Sequence, residues 1–98
     1  MITLPIKCLW FDKIKSGEKR EEYRSNNPHY DSLFRKHEEK QIAVMFRNGY
    51  NSNAPSVICD VIPHRQRTGR PEWGAEPGVL YWSLEILNVN IIEKAKEK

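Results

Sequence analysis

Apolar residues occupy every second position at the start of the chain, at Ile2, Leu4, Ile6, Cys8 and Trp10. That is the period of a strand with one buried face. Pro5 cannot donate to a ladder, so the strand belongs at an edge or carries a bulge. Trp10 and Ile14 then lie four apart, and Gly17 suits the left-handed residue that closes a short helix. Beyond Gly17 an extended segment would put Arg20, Glu22 and Arg24 on one face and Lys19, Glu21 and Tyr23 on the other.

Ser25-Asn26-Asn27-Pro28 reads as a turn that opens a helix, with Asn27 as cap and Pro28 at the first helical position. Tyr30, Leu33, Phe34 and His37 follow at i, i+3, i+4 and i+7, the stripe of an amphipathic helix of two to three turns. The continuous run Ile42-Ala43-Val44-Met45-Phe46 predicts a strand covered on both faces. After a turn at 51–55, the segment Val57–Ile62 predicts a second central strand that pairs with it as a hairpin. Residues 63–78 lose all periodicity and contain three prolines and three glycines, which predicts a long loop. Leu80, Trp82, Leu84 and Ile86 restore the alternation. Val89 and Ile91 either continue that strand past a kink near Asn88 or pair back with the first one, and residues 93–98 form a charged tail.

The sum is an α+β fold, a small and mainly antiparallel β-barrel or half-barrel of about five strands with two short helices in the first half. A chain of 98 residues suits one domain, and 39% hydrophobic with 30% charged residues suits a globule rather than a disordered segment. Lys and Arg outnumber Asp and Glu by 16 to 13. That excess permits contact with nucleic acid but requires clustering to make a binding surface. Cys8 and Cys59 have no CxxC partner and read as reduced, buried hydrophobes, against the alternative of a disulfide between them. No apolar run approaches the roughly 20 residues of a membrane span and no signal peptide is apparent, so the expectation is a cytoplasmic protein without membrane contact.

The chemistry concentrates in Ser16-Gly17-Glu18-Lys19-Arg20-Glu21-Glu22-Tyr23-Arg24. On one strand face, Glu22 would stand between Arg20 and Arg24 and could aim the Arg24 fork at a phosphate or a planar base. The competing reading is a solvated edge strand whose charges discourage aggregation. Gly17 either caps the helix or also lets a ligand approach bare backbone. Arg65, Arg67 and Arg70 beside Trp73 in the 63–78 loop have the composition of a nucleic-acid contact, against the alternative of a solvated connection with Trp73 folded back. His29 and His37 have no ligand constellation around them, so neither a metal nor a cofactor is expected. Neither Ser16, Ser83 nor either cysteine has a base at motif spacing, and there is no Gly-rich phosphate loop.

Leu4-Pro5-Ile6-Lys7, Trp10-Phe11-Asp12-Lys13-Ile14, Ser16-Gly17-Glu18-Lys19 and Glu22-Tyr23-Arg24 together resemble the ASCH domain family, whose signature is G-x-K-x-x-E-x-R. Gly17, Lys19, Glu22 and Arg24 match its four fixed positions. The resemblance spans roughly residues 2–92 and implies a PUA-like barrel with a cleft lined by Lys19, Glu22 and Arg24, in a family proposed to bind RNA and similar in fold to readers of modified bases. Some small bacterial members are amidohydrolases that deacetylate acetylcytidine with the motif lysine, a threonine three residues later and a more distant glutamate. Lys19 matches the lysine, but Glu22 stands where the threonine would be.

Three functions follow as expectations. The first is binding of RNA or a modified nucleotide, with Arg20 and Arg24 on phosphate or a base edge, Glu22 orienting Arg24, and the Arg65–Trp73 loop closing over the nucleotide. The second is hydrolysis of a modified nucleoside or of RNA, with Lys19 as nucleophile or general base and Glu22 as proton shuttle. The third is a protein interface with no nucleotide affinity.

Overall fold

A computed structural model describes residues 1–92 of the chain; the expected charged tail at 93–98 lies outside the described residues. In order, the elements are β1 (Ile2–Ile6), α1 (Cys8–Ser16), β2 (Glu21–Ser25), α2 (Pro28–Phe34) with a 3₁₀ turn at Arg35–His37, β3 (Ile42–Asn48), β4 (Ser56–Thr68), a second 3₁₀ turn at Pro71–Trp73, and β5 (Leu80–Ile92). The five strands form one curled mixed sheet, a half-barrel in the order β1-β3-β4-β5-β2. β1 runs parallel to β3, and every other neighbouring pair is antiparallel. Among the described residues no helix is long and apolar enough to cross a membrane.

The core lies inside the curl. Leu4 and Ile6 of β1, Val44 and Phe46 of β3, Val57, Cys59 and Val61 of β4, and Trp82, Leu84 and Ile86 of β5 are buried at alternate positions, with Phe11, Ile14 and Phe34 packed in from the helices. Side chains of this size contribute roughly 1.5–3 kcal/mol each on burial. α2 begins as its sequence predicts, with the Asn27 carboxamide oxygen accepting from Tyr30 N at 2.9 Å and Pro28 at the first position. It is seated by Phe34, whose ring centroid lies 5.6 Å from that of Trp82, and by the Trp82 indole N–H, which donates to Asp31 at 2.8 Å. This seating fixes where Tyr30 stands.

Several expectations change. β1 stops at Ile6 because its ladder partner ends there: Ile6 lies opposite Asn48, and Gly49 N–H closes onto Ile6 O at 3.0 Å. With nothing left to pair, the chain turns into α1 from Lys7, which buries Phe11 and Ile14. Cys8 is therefore an exposed helix residue, not a buried strand residue; Cys59 is buried as expected. β3 is buried on one face only, with Ala43 exposed and Met45 half-buried.

The largest correction concerns 63–78. Its first six residues continue β4 to Thr68, and only the remainder is loop. Pro63 is tolerated because β3 pairs with β4 no further than Val61, so at Pro63 one side of β4 has become an edge. The register shift between His64 and Arg67, with Gln66 at φ 54°, explains the lost alternation, since a bulge moves later side chains out of phase. A second shift opposite Asp60 and Val61 corresponds to the kink expected near Asn88. Beyond it Val89 and Ile91 pair with Cys59 and Val57 of β4, not with β1.

Candidate functional site

The two edge strands, β1 and β2, face each other across the open side of the half-barrel without pairing as strands. Glu22 and Arg24 lie opposite Leu84 and Trp82, two core residues, so both project inward at this seam. The Arg24 guanidinium ties the edges together. Its NH2 group donates to Glu22 Oε2 at 2.9 Å and to the Pro5 carbonyl at 2.9 Å, and NH1 donates to the Tyr30 hydroxyl at 3.3 Å. It is the fork geometry that lets one arginine hold a carboxylate and a backbone carbonyl at once.

Lys19 completes the group. After Gly17 caps α1, the Lys19 N–H returns to Lys13 O at 2.9 Å and delivers the side chain inward. Nζ stands 3.3 Å from Glu22 Oε1 and 4.9 Å from the ring centroids of both Trp10 and Tyr23, and it donates to the Trp73 carbonyl. The residue is only 1% exposed. Burial pulls its pKa below the ordinary lysine value, with Arg24 adding to the fall and Glu22 opposing it. A single carboxylate thus lies between two cations, Lys19 buried and Arg24 half-buried.

This differs from the expected trio in one member. Glu22 does orient Arg24, but its second cation is Lys19 and not Arg20. The β2 ladder begins only at Glu21, so strand alternation does not govern Lys19. Arg20 is exposed, and its carbonyl accepts from Ile86 N at 2.9 Å. Gly17, at φ 88°, serves the helix cap, and neither it nor Lys19, which was expected in the cleft lining, lines the cleft beside Glu22 and Arg24; both border a separate hollow with Arg20.

That cleft, of about 450 Å³, opens between the two edges. Arg24, Glu22 and Ser25 supply its polar wall, Lys7 stands at its margin, and Trp10, Tyr23, Tyr30, Tyr50 and Tyr81 supply aromatic surface. Tyr50 is 89% exposed and follows Gly49 at φ 96° in the β3–β4 turn. A planar group could enter flat against such rings while its polar edge meets Arg24.

The sequence reading did not single out Trp10, Tyr50 or Tyr81 as site residues, and it took Tyr30 for core. The available signals were Asn48-Gly49-Tyr50, where a large ring follows a turn glycine, and the position of Tyr81 in the outward phase of β5. Conversely, Arg65, Arg67, Arg70 and Trp73 do not line the cleft. Arg65 stands 3.5 Å from Asp31 and over the Trp82 ring, Arg67 3.8 Å from Glu39, and Arg70 3.4 Å from Glu72 and over the Trp73 ring. Arg20, Arg70 and Trp73 meet instead at a separate hollow of about 280 Å³ with Glu21 and Glu85.

Residues 69–76 lie over Lys19 as a strap. Arg70 N–H donates to the Tyr23 hydroxyl at 3.0 Å, which donates onward to Glu21 at 2.7 Å. Burial is the main cause that raises the Tyr23 pKa, so this hydroxyl keeps its proton. Gly69 sits so close to the Tyr23 ring that an added Cβ would stand 2.6 Å from it. His64 forms a separate cluster with Glu39 and Glu85. Among the described residues no group of three His, Cys, Asp or Glu side chains is placed to hold a metal ion. No protein-family model matches the chain, and neither a curated protein nor a solved structure does.

Proposed function

We propose that this chain is an ASCH-type, PUA-like domain of the cytoplasm that binds RNA or a modified nucleotide in the cleft between β1 and β2. The observation that carries the reading is the Arg24 guanidinium, fixed by Glu22 and Pro5 at the wall of a cleft lined with aromatic rings. Three of the four signature residues, Lys19, Glu22 and Arg24, meet at this seam, and a curled five-stranded sheet is compatible with a PUA-like barrel. In this reading Arg24 meets a phosphate or base edge and the rings stack on a base. Sequestration of Arg65, Arg67 and Arg70 away from the cleft removes them from the immediate contact.

The test is a titration of a fluorescent short single-stranded RNA, with a DNA control, at two salt concentrations. Tyr50→Ala is the informative variant, because so exposed a side chain can be removed without disturbing the core. Loss of one stacking ring should weaken binding by about 1–3 kcal/mol. RNA affinity that falls with salt and with Tyr50→Ala supports the reading; no binding at low salt, or indifference to Tyr50, overturns it.

The depressed pKa of Lys19 favours a second reading, a small hydrolase acting on a modified nucleoside of the acetylcytidine type or on RNA. A neutral amine is what a nucleophile or general base requires, and Glu22 lies within proton-shuttling reach. The strap covers Nζ, so turnover would require residues 69–76 to move. Lys19→Ala should then abolish release of acetate from acetylcytidine while sparing most binding; equal loss of both argues against a catalytic lysine.

A further inference from the structure

His64 stands where three segments converge, and both of its ring nitrogens face carboxylates. Nδ1 lies 3.0 and 2.9 Å from the two oxygens of Glu39, in the turn that follows α2, and Nε2 lies 2.7 Å from Glu85 Oε1 on β5. A neutral imidazole carries one N–H and can satisfy only one of them; the other carboxylate would meet a lone pair. The two flanking carboxylates therefore favour the doubly protonated ring over a neutral one, which could keep Glu85 and turn Nδ1 to Arg67.

The surroundings concentrate load on this contact. Glu39 has φ 60° and Gln66, two residues beyond His64, has φ 54°, both left-handed conformations that cost a residue with a side chain. Glu39 N–H also donates to Pro63 O at 2.8 Å, so backbone and side chain of the same turn are held to β4 at adjacent residues. Arg67 is the remaining charged group at the cluster, with NH2 3.5 Å from Nδ1 and 3.8 Å from Glu39 Oε2. It repels the imidazolium while helping to retain Glu39. The His64 side chain is 14% exposed, so water reaches the ring and protons exchange with solvent.

We propose that His64 is a proton-operated brace that clamps the end of the α2 segment to β4 and β5 when charged and releases Glu39 or Glu85 when neutral. The braced segment matters because α2 supplies Tyr30, whose hydroxyl accepts from Arg24 at the cleft wall. Burial works against the charged ring, but the bonds to Glu85 and Glu39 outweigh it and raise its pKa above the ordinary histidine value. Stability from this group is thus full below about pH 6.5 and is lost as pH rises through the folded-state value. The brace concerns the fold itself and stands whatever the cleft binds.

The experiment is a thermal-unfolding series from pH 6 to pH 9 on wild type and His64→Gln, with NMR titration of the His64 ring and amide-protection measurements at Glu39. Wild type should lose stability across this range relative to His64→Gln, by roughly 5–10 °C for each pH unit by which the His64 midpoint exceeds that of an unfolded histidine. The Glu39 protection factor should fall with it. An equal pH response in the two proteins, or a ring midpoint at or below the ordinary value, overturns the brace. Should His64→Gln fail to fold, the wild-type ring titration decides, together with Glu39→Gln, which should lower the midpoint; an unmoved midpoint refutes the clamp.

Discussion

Two ion triads of opposite sense occupy this half-barrel. At the seam an anion, Glu22, stands between the cations Lys19 and Arg24; beside the β4 bulge a cation, His64, stands between the anions Glu39 and Glu85. The central side chains are similarly covered, 10% exposed for Glu22 and 14% for His64, but the outer members are not. Lys19 and Arg24 are 1% and 12% exposed, whereas Glu39 and Glu85 are 55% and 46% exposed. Water can therefore take over both outer partners of His64, whereas at the seam Lys19 is sealed and only Arg24 meets water, at the cleft wall. The difference teaches that it is the solvation of the flanking charges that decides what the central group is worth.

The strongest way to break this contrast is Glu22→Gln, which leaves the buried Lys19 and the half-buried Arg24 without their carboxylate. It should cost about 3–5 kcal/mol by urea denaturation; a loss below about 1 kcal/mol would mean that the seam is wetter than its burial indicates. Next comes the seal over Lys19. Gly74 has φ 104° and an added Cβ would lie 3.1 Å from the Trp10 ring, so Gly74→Val should destabilise by about 1–3 kcal/mol and shift Trp fluorescence as the strap lifts. Glu85→Gln, on the wet triad, should cost at most about 1 kcal/mol at neutral pH.

The two triads should also answer alkali in opposite directions. Lys19 binds its proton less tightly when folded than the ordinary 10.5, so its contribution to stability rises as pH climbs from the folded-state value towards 10.5. His64 binds its proton more tightly when folded, and its contribution falls as pH passes its own raised value. Urea midpoints from pH 6 to 10.5 should show the rise missing in Lys19→Met and the fall missing in His64→Gln; the same sign in both differences would refute the contrast. The smallest effect is ionic. Salt at 1 M shortens screening to about 3 Å, so it should weaken the exposed triad by a few tenths of a kcal/mol and leave the seam nearly unchanged.

Much of the fold was legible because its strands follow period two and its helices carry local stop and start residues. Asn27-Pro28 and Gly17 act locally and hold in the structure as read. Pro63 misled for a non-local reason: whether a proline ends a strand depends on which neighbour still needs its missing N–H, and β3 had already ended. Cys8 misled similarly, since alternation continued in sequence after the ladder partner was used up.

At the candidate site, the sequence named Lys19, Glu22 and Arg24 as charge-bearing groups on a short segment, and alternation correctly placed Glu22 beside Arg24. Alternation could not choose Lys19 over Arg20 as the second cation, because that depends on the residue at which β2 begins to pair with β5; only the resemblance to the G-x-K-x-x-E-x-R signature grouped Lys19 with Glu22 and Arg24. Nor could it assemble Trp10, Tyr30, Tyr50 and Tyr81, which come from four separate segments.

The sequence by itself determined the alternating core of the strands, the capped ends of α1 and α2, and the concentration of opposite charges between Lys19 and Arg24. Each is set within a few residues by side-chain period, backbone preference or covalent spacing. Only the tertiary structure decided that β1 and β2 would be left as facing edges, that Arg24 would span them to Pro5, and that Glu39, His64 and Glu85 would meet. Those outcomes depend on where ladders end and which charges lose water, and both are settled only when distant segments pack.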